Sequence, residues 1–86
     1  MRIDRTRAMW PQIAEEILRR IHSGEYPPGS KVPSVVQIAN EFGVVNSTAQ
    51  RAMEHVRAQG VTRSEKGMGT FVLRPEEREA REGGGG

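Results

Sequence analysis

The stretch Ile38-Ala39-Asn40-Glu41-Phe42-Gly43-Val44 constrains this chain more than any other. It sets a small residue inside an apolar helical period, then a glycine, then an apolar residue. Two helices that cross steeply through a short turn need all three. Ala39 allows close backbone approach, Gly43 permits the reversal and Val44 anchors the chain beyond the turn. The neighbouring residues supply the helices. Ser34 followed by Gln37 is a capping box, so a second helix is predicted from about Val35 to Phe42, with Val35, Ile38, Ala39 and Phe42 inward. A third helix begins near Asn46, buries Ala49, Ala52, Met53 and Val56, and ends at Gly60.

The rest of the chain fits around this pair. Trp10, Ile13, Ala14, Ile17, Leu18 and Ile21 recur at helical spacing and predict a first helix, with Pro11 in its first turn and Gly24 just past its end. Glu15, Glu16, Arg19 and Arg20 are expected on its wet side, with Glu15 and Arg19 as an i,i+4 pair. Tyr26-Pro27-Pro28-Gly29-Ser30 reads as a rigid turn, and Lys31-Val32-Pro33 leads from it to Ser34. After Gly60, two short strands are predicted at about Val61–Ser64 and Thr70–Leu73, joined by Glu65-Lys66-Gly67-Met68-Gly69. The expected architecture is mainly α with a small β-hairpin, a winged helix-turn-helix of three helices plus a two-stranded wing. The expected organisation is a basic, mobile arm over residues 1–9, a folded unit over 10–74, and an acidic, glycine-ended tail over 75–86.

Composition narrows the function classes. At 86 residues the chain is one small domain with a thin core. It has no cysteine, so neither a disulfide framework nor a thiolate metal site is available. Residues 1–74 carry 11 Lys and Arg against 7 Asp and Glu, whereas residues 75–86 carry 2 against 4. The basic body suits a polyanionic partner. A catalytic site needs converging titratable groups, and these are scarce. His22 reads as a surface residue at the end of the first helix, His55 has no second metal donor, and Ser34 and Ser47 have no His–Asp partners. No enzyme activity, cofactor or membrane span is expected, and no apolar signal segment is present at residues 1–10; a cytoplasmic, nucleoid-associated protein is the expectation.

The third helix carries the most specific chemistry. Its N-terminal end presents small polar residues at the positive end of the helix dipole, which suits a DNA major groove about 12 Å wide. Asn46 and Gln50 can pair with adenine edges, Arg51 with guanine or a phosphate, and Ser47 and Thr48 can donate to phosphate oxygens. The bland alternative is a solvated polar face. In the hairpin, Gly67 and Gly69 flanking Met68 let the backbone lie close to a sugar–phosphate wall, and Lys66 offers a cation. The alternative there is a plain hairpin with Lys66 in water. Arg63 and Arg74 fit either reading, as do Arg2, Arg5 and Arg7 of the arm.

These residues also carry a family resemblance. Gln12-Ile13-Ala14-Glu15-Glu16-Ile17, the run from Ile21 to Ser34, Ile38-Ala39 with Phe42-Gly43-Val44, and Gly67-Met68-Gly69-Thr70-Phe71-Val72 resemble the DNA-binding domain of the GntR family over about residues 10–73. The resemblance implies a winged helix-turn-helix that binds operator DNA, commonly as a homodimer and commonly as a repressor. On it, Ser34, Asn46, Ser47, Thr48, Gln50, Arg51, Lys66, Gly67, Met68 and Gly69 form the expected contact set. Several positions depart from the family pattern. Val35 and Val36 stand where the family has Glu-Arg, Val45 and Asn46 where it has Ser or Thr before Arg, and Gln50 where it has another arginine. Val45 cannot cap, so Asn46 or Ser47 is expected to take over the cap and shift the helix start. Family regulators usually append an effector-binding domain. The chain is therefore expected to be a stand-alone regulator or a fragment, with no small-molecule effector of its own. A protein-interaction module and a non-specific architectural DNA binder are the competing readings.

Overall fold

In the computed structural model, residues 3–78 are described. Three helices, α1 (Met9–Ser23), α2 (Val35–Phe42) and α3 (Asn46–Ala58), are followed by two strands, β1 (Thr62–Glu65) and β2 (Gly69–Val72). Helices α1 and α2 both pack on α3, and the hairpin sits at the C-terminal side of α3. This is the winged helix-turn-helix arrangement. The apolar core runs through the three helices and reaches β2. Ile13, Ile17, Ile38, Val32 and Val56 are almost entirely removed from water, and Val61 and Val72 extend the apolar cluster under the wing.

The helix boundaries follow from local chemistry. Ser34 Oγ accepts the Gln37 N–H at 3.2 Å while the Gln37 side chain accepts the Ser34 N–H at 2.8 Å, so the capping box forms in both directions. Gly43 ends α2 with φ of +66°, a left-handed conformation that a β-branched residue resists. Its N–H bonds back to Ala39 O, and the Val44 N–H also reaches Ala39 O at 3.0 Å. Helix α3 begins at Asn46 with Val45 as its N-cap, so the expected shift in its start does not occur. The Val45 carbonyl accepts from Thr48 and Ala49, and no side chain caps this end.

The hairpin is antiparallel, pairing Thr62 with Val72 and Glu65 with Gly69. Both strands are one residue out of step with the sequence expectation, β1 starting later and β2 earlier. The turn is correspondingly tight, closed by Met68 N–H to Glu65 O at 2.9 Å. A further pairing has no signal in the sequence. The segment before α2 lies along the free edge of β2, through Val32 N–H to Thr70 O at 2.8 Å and Val72 N–H to Ser30 O at 2.9 Å, with a single bridge between Lys31 and Phe71. Pro33 stops this edge strand after one bridge, and the pairing ties the wing to the start of α2.

Three other expectations need correction. Glu16 and Arg20 do not lie on a wet face: their side chains are only 9% and 12% exposed. They belong to a network that joins α1 to α2, because Arg20 lies between Glu16, Tyr26 and Glu41. Arg19 pairs with Glu16 at 2.7 Å and with Glu25, rather than with Glu15. The arm, from Ile3 onward, is a folded turn instead of a mobile strand. The Asp4 carboxylate accepts the Thr6 hydroxyl and N–H, Gln12 bonds to the Asp4 backbone on both sides, and Arg5 donates to Phe42 O at 3.3 Å. Arg5 thereby satisfies a carbonyl at the end of α2, where a helix favours a cation. At the other terminus a helical turn begins at Pro75, and Glu77 ties it to the hairpin through Arg63 Nε at 3.0 Å. The remainder of the expected acidic tail lies outside the described residues.

Candidate nucleic-acid interface

Two surfaces meet along the outer side of α3. The first is the head of the helix. Asn46, Ser47 and Gln50 are exposed there, Thr48 is half-buried, and Gln50 touches Glu54 at 3.4 Å. Because Val45 brings no capping side-chain oxygen and its carbonyl takes the Thr48 and Ala49 N–H groups, those of Asn46 and Ser47 are left open to an outside acceptor, and the dipole favours an anion at that place. The second surface is a groove of about 400 Å³ between α3, the start of α2 and the wing, lined by Ser34, Met53, Arg57 and the Gly67-Met68-Gly69 tip. Ser34 uses its oxygen as an acceptor in the capping box, which leaves its hydroxyl proton free to donate into the groove.

The structure brings Ser34 together with Gly67, Met68 and Gly69, although they are more than thirty positions apart in the chain. Lys66 is exposed beside them at the turn. Arg51 goes elsewhere. Its guanidinium lies 4.9 Å from the centre of the Trp10 ring, and His55 approaches the same ring at 5.5 Å, so Arg51 is stacked on the edge facing α1. A stacked guanidinium keeps donors at its rim, which suits a phosphate beside the helix better than a base edge beneath it.

Two cations of this surface lie outside the contact set expected from sequence. Lys31 and Arg57 both line the groove, and neither forms an ion pair among the described residues. The Lys31 chain lies across Gly69, so close that a Cβ added there would fall 2.5 Å from Lys31 Cε. With φ of +118°, Gly69 is doubly restricted to glycine. A sequence signal for Arg57 exists: Asn46, Gln50, Met53 and Arg57 follow helical spacing along one side of α3, so the interface extends beyond the first turns of the helix. No comparable signal exists for Lys31, whose position depends on the edge pairing with β2.

Several other charged groups are engaged inside the fold. The Glu16 carboxyl is held down at about 2, first by the hydrogen bond from Arg19 and then by that from Arg20, against the opposing effect of burial. Glu41 holds the Arg20 guanidinium above its usual range. Arg63 stacks 5.2 Å from the Phe71 ring centre and pairs with Glu77 and Glu65. The N–H of Arg74 lowers the Glu77 carboxyl below its ordinary value. Among the described residues there is no cluster of His, Cys, Asp or Glu able to hold a metal ion, and no helix is long and apolar enough to cross a membrane.

Residues 11–72 match the model of the bacterial regulatory proteins, gntR family. The chain belongs to the gntR family. The histidine utilization repressor of Pseudomonas putida is 33% identical over 72 residues, which cover 84% of this chain and 29% of that protein. The arabinose metabolism transcriptional repressor of Geobacillus stearothermophilus is 34% identical over 76 residues, covering 88% of this chain and 21% of that one. The chain thus spans less than a third of the length of these gntR relatives. Among solved structures, the DNA-binding domain of AraR in complex with operator ORR3 superposes with a TM-score of 0.69 at 34% identity, over 74% of this chain and 77% of that one. A GntR family transcriptional regulator from Listeria monocytogenes gives 0.80 at 26% identity, over 95% of this chain and 73% of that one.

Proposed function

We propose that this chain binds double-stranded DNA sequence-specifically and serves as the DNA-reading unit of a transcriptional repressor, a regulatory and non-enzymatic role. Helix α3 enters the major groove by its head, where Asn46 and Gln50 read base edges while Ser47 and Thr48 donate to phosphates. Arg51, stacked on Trp10, takes a phosphate at the α1 edge. The wing, through Lys66 and the backbone of Gly67, Met68 and Gly69, lies against the minor groove or its sugar–phosphate wall. Lys31, Ser34 and Arg57 hold the strand that passes between wing and helix. The observation that carries this reading is the uncapped, polar head of α3 next to a groove whose cations have no ion-pair partner among the described residues. That AraR was solved on operator DNA with the same fold at 34% identity adds support. Two copies on a palindromic site complete the proposal, with half-sites about 34–36 Å apart.

Selection from a pool of random duplexes with the full chain tests it. A defined sequence should be enriched. With about 6–10 phosphate contacts per pair of copies, its affinity should fall about 10³–10⁵-fold between 50 and 200 mM salt. A flat salt response, or no enriched sequence, overturns the reading.

A further inference from the structure

Three large apolar side chains stand exposed among the described residues: Val36 at 55%, Val45 at 67% and Met68 at 63%. One lies in the first turn of α2, one at the start of α3 and one at the tip of the wing, and none lies on α1. Val45 is the most exposed of the three and the least expected. It occupies the N-cap of α3 in an extended conformation, with φ of −74° and ψ of 157°. An N-cap favours Ser, Thr, Asp or Asn, whose oxygen takes a first-turn N–H, and disfavours valine. Val45 neither caps the helix nor gains much shelter from water in return. Its neighbours along the exposed head, Asn46 and Ser47, are polar.

Resting on the proposed duplex-DNA reading, we infer that Val45 is a specificity-determining residue that reads a thymine by its C5-methyl group. That methyl is the apolar feature a base pair displays in the major groove, and side chains without hydrogen-bonding atoms read it by contact. The position fits the partner. Val45 immediately precedes the residues placed over base edges, and its side chain is short and stiff at χ1, so it presents a fixed apolar surface at low entropic cost. Contact with the methyl removes from water the surface that the free protein leaves wet. The open N–H groups beside it remain available to the phosphate of the same strand.

The test uses the full chain and the best duplex from the random pool. Each thymine is replaced in turn by deoxyuridine, which deletes the methyl and keeps every hydrogen-bonding group. At one thymine per half-site, binding should weaken about fourfold, equivalent to about 0.8 kcal/mol for one buried carbon group. Val45→Ser should bind the two duplexes equally, and Val45→Ala, which keeps a single methyl, should show a smaller difference than the parent. Val45→Ser also restores a capping hydroxyl, so its Tm should rise by about 4–8 °C, which verifies that the fold is intact. Deoxyuridine that is neutral at every position for the unaltered chain overturns the inference, as does a methyl dependence that persists in both variants. Failure to enrich any duplex removes the DNA-binding reading itself, and this inference with it. An enriched duplex without a methyl effect removes only the role of Val45.

Discussion

Where α1 meets α2, the charged side chains answer one another; along the groove between α3 and the wing, they do not. Arg20 donates to Glu16 at 2.9 Å, to the Tyr26 hydroxyl at 2.7 Å and to both oxygens of Glu41, and its guanidinium also covers the Phe42 ring at 5.5 Å. Lys31, Arg57 and Lys66 carry charge of the same sign on the opposite flank, yet no carboxylate of the described residues pairs with them. Net charge of +2 conceals this division. The first set ties α1 to α2, and on the proposed reading the second is left to the phosphates of a duplex. On that reading, what offers a basic residue of the groove to a duplex is the lack of a carboxylate beside it, not its place in a basic stretch.

Breaking the locked side should cost the most. Arg20→Met leaves Glu16 with Arg19 alone in a largely buried site and releases Glu41 from α1. The expected loss is about 3–5 kcal/mol, the usual cost of removing one partner from a buried pair. Thermal unfolding measures it. A Tm within about 2 °C of the parent would mean that the network is incidental to the angle between α1 and α2.

Acid probes the same network without a mutation. The folded Glu16 carboxyl titrates at about 2, against an ordinary value of 4.5. A depressed carboxylate stabilises the fold above its unfolded pKa and loses that contribution as pH falls toward the folded one. Between about pH 4.5 and 2 the unfolded chain binds the extra proton, so stability should decline by at most about 3 kcal/mol through Glu16. Asp4 and Glu77 are also lowered and titrate in the same direction. Subtracting the profile of Glu16→Gln isolates the share of Glu16, and parallel profiles for the two proteins would refute its role.

The open side should respond differently. Arg57→Ala and Lys31→Ala are expected to leave Tm almost unchanged and to weaken every duplex alike. Each should lower the slope of log affinity against log salt by about 1, which is a few-fold effect between 50 and 200 mM. If either variant alters base preference instead, the residue reads sequence rather than holding backbone, and the groove has been assigned to the wrong part of the duplex.

Much of the fold is legible in the amino-acid order, because its signals are local. The capping box of Ser34 and Gln37, the left-handed Gly43 and the stop at Gly24 each act within one turn of chain, and the helices α2 and α3 begin where the local residues place them. The polar head at Asn46, Ser47 and Gln50 is legible for the same reason, since helical spacing separates it from Ala49, Ala52 and Val56. The glycine wing is also readable, though its strands run one residue out of step, because a turn's residues indicate that a hairpin forms more firmly than where its pairing begins.

The hidden features depend on contacts between distant segments. Periodicity puts Glu16 and Arg20 at the border of the polar face of α1, and only the approach of Tyr26 and Glu41 converts that border into an interior. Arg51 has the spacing of a groove-facing residue, and only the packing of α1 against α3 brings Trp10 within stacking distance. Lys31 reads as part of a linker, and only the pairing of its strand with β2 lays it across Gly69. The sequence by itself determined the helices, the capping box of α2, the glycine stops and the polar head, since these depend on backbone geometry and hydrogen bonds within a few residues. The tertiary structure decided which charges are neutralised and which face outward, because a charge is paired by what lies near it in space, and neighbours from other elements are set only when the core closes.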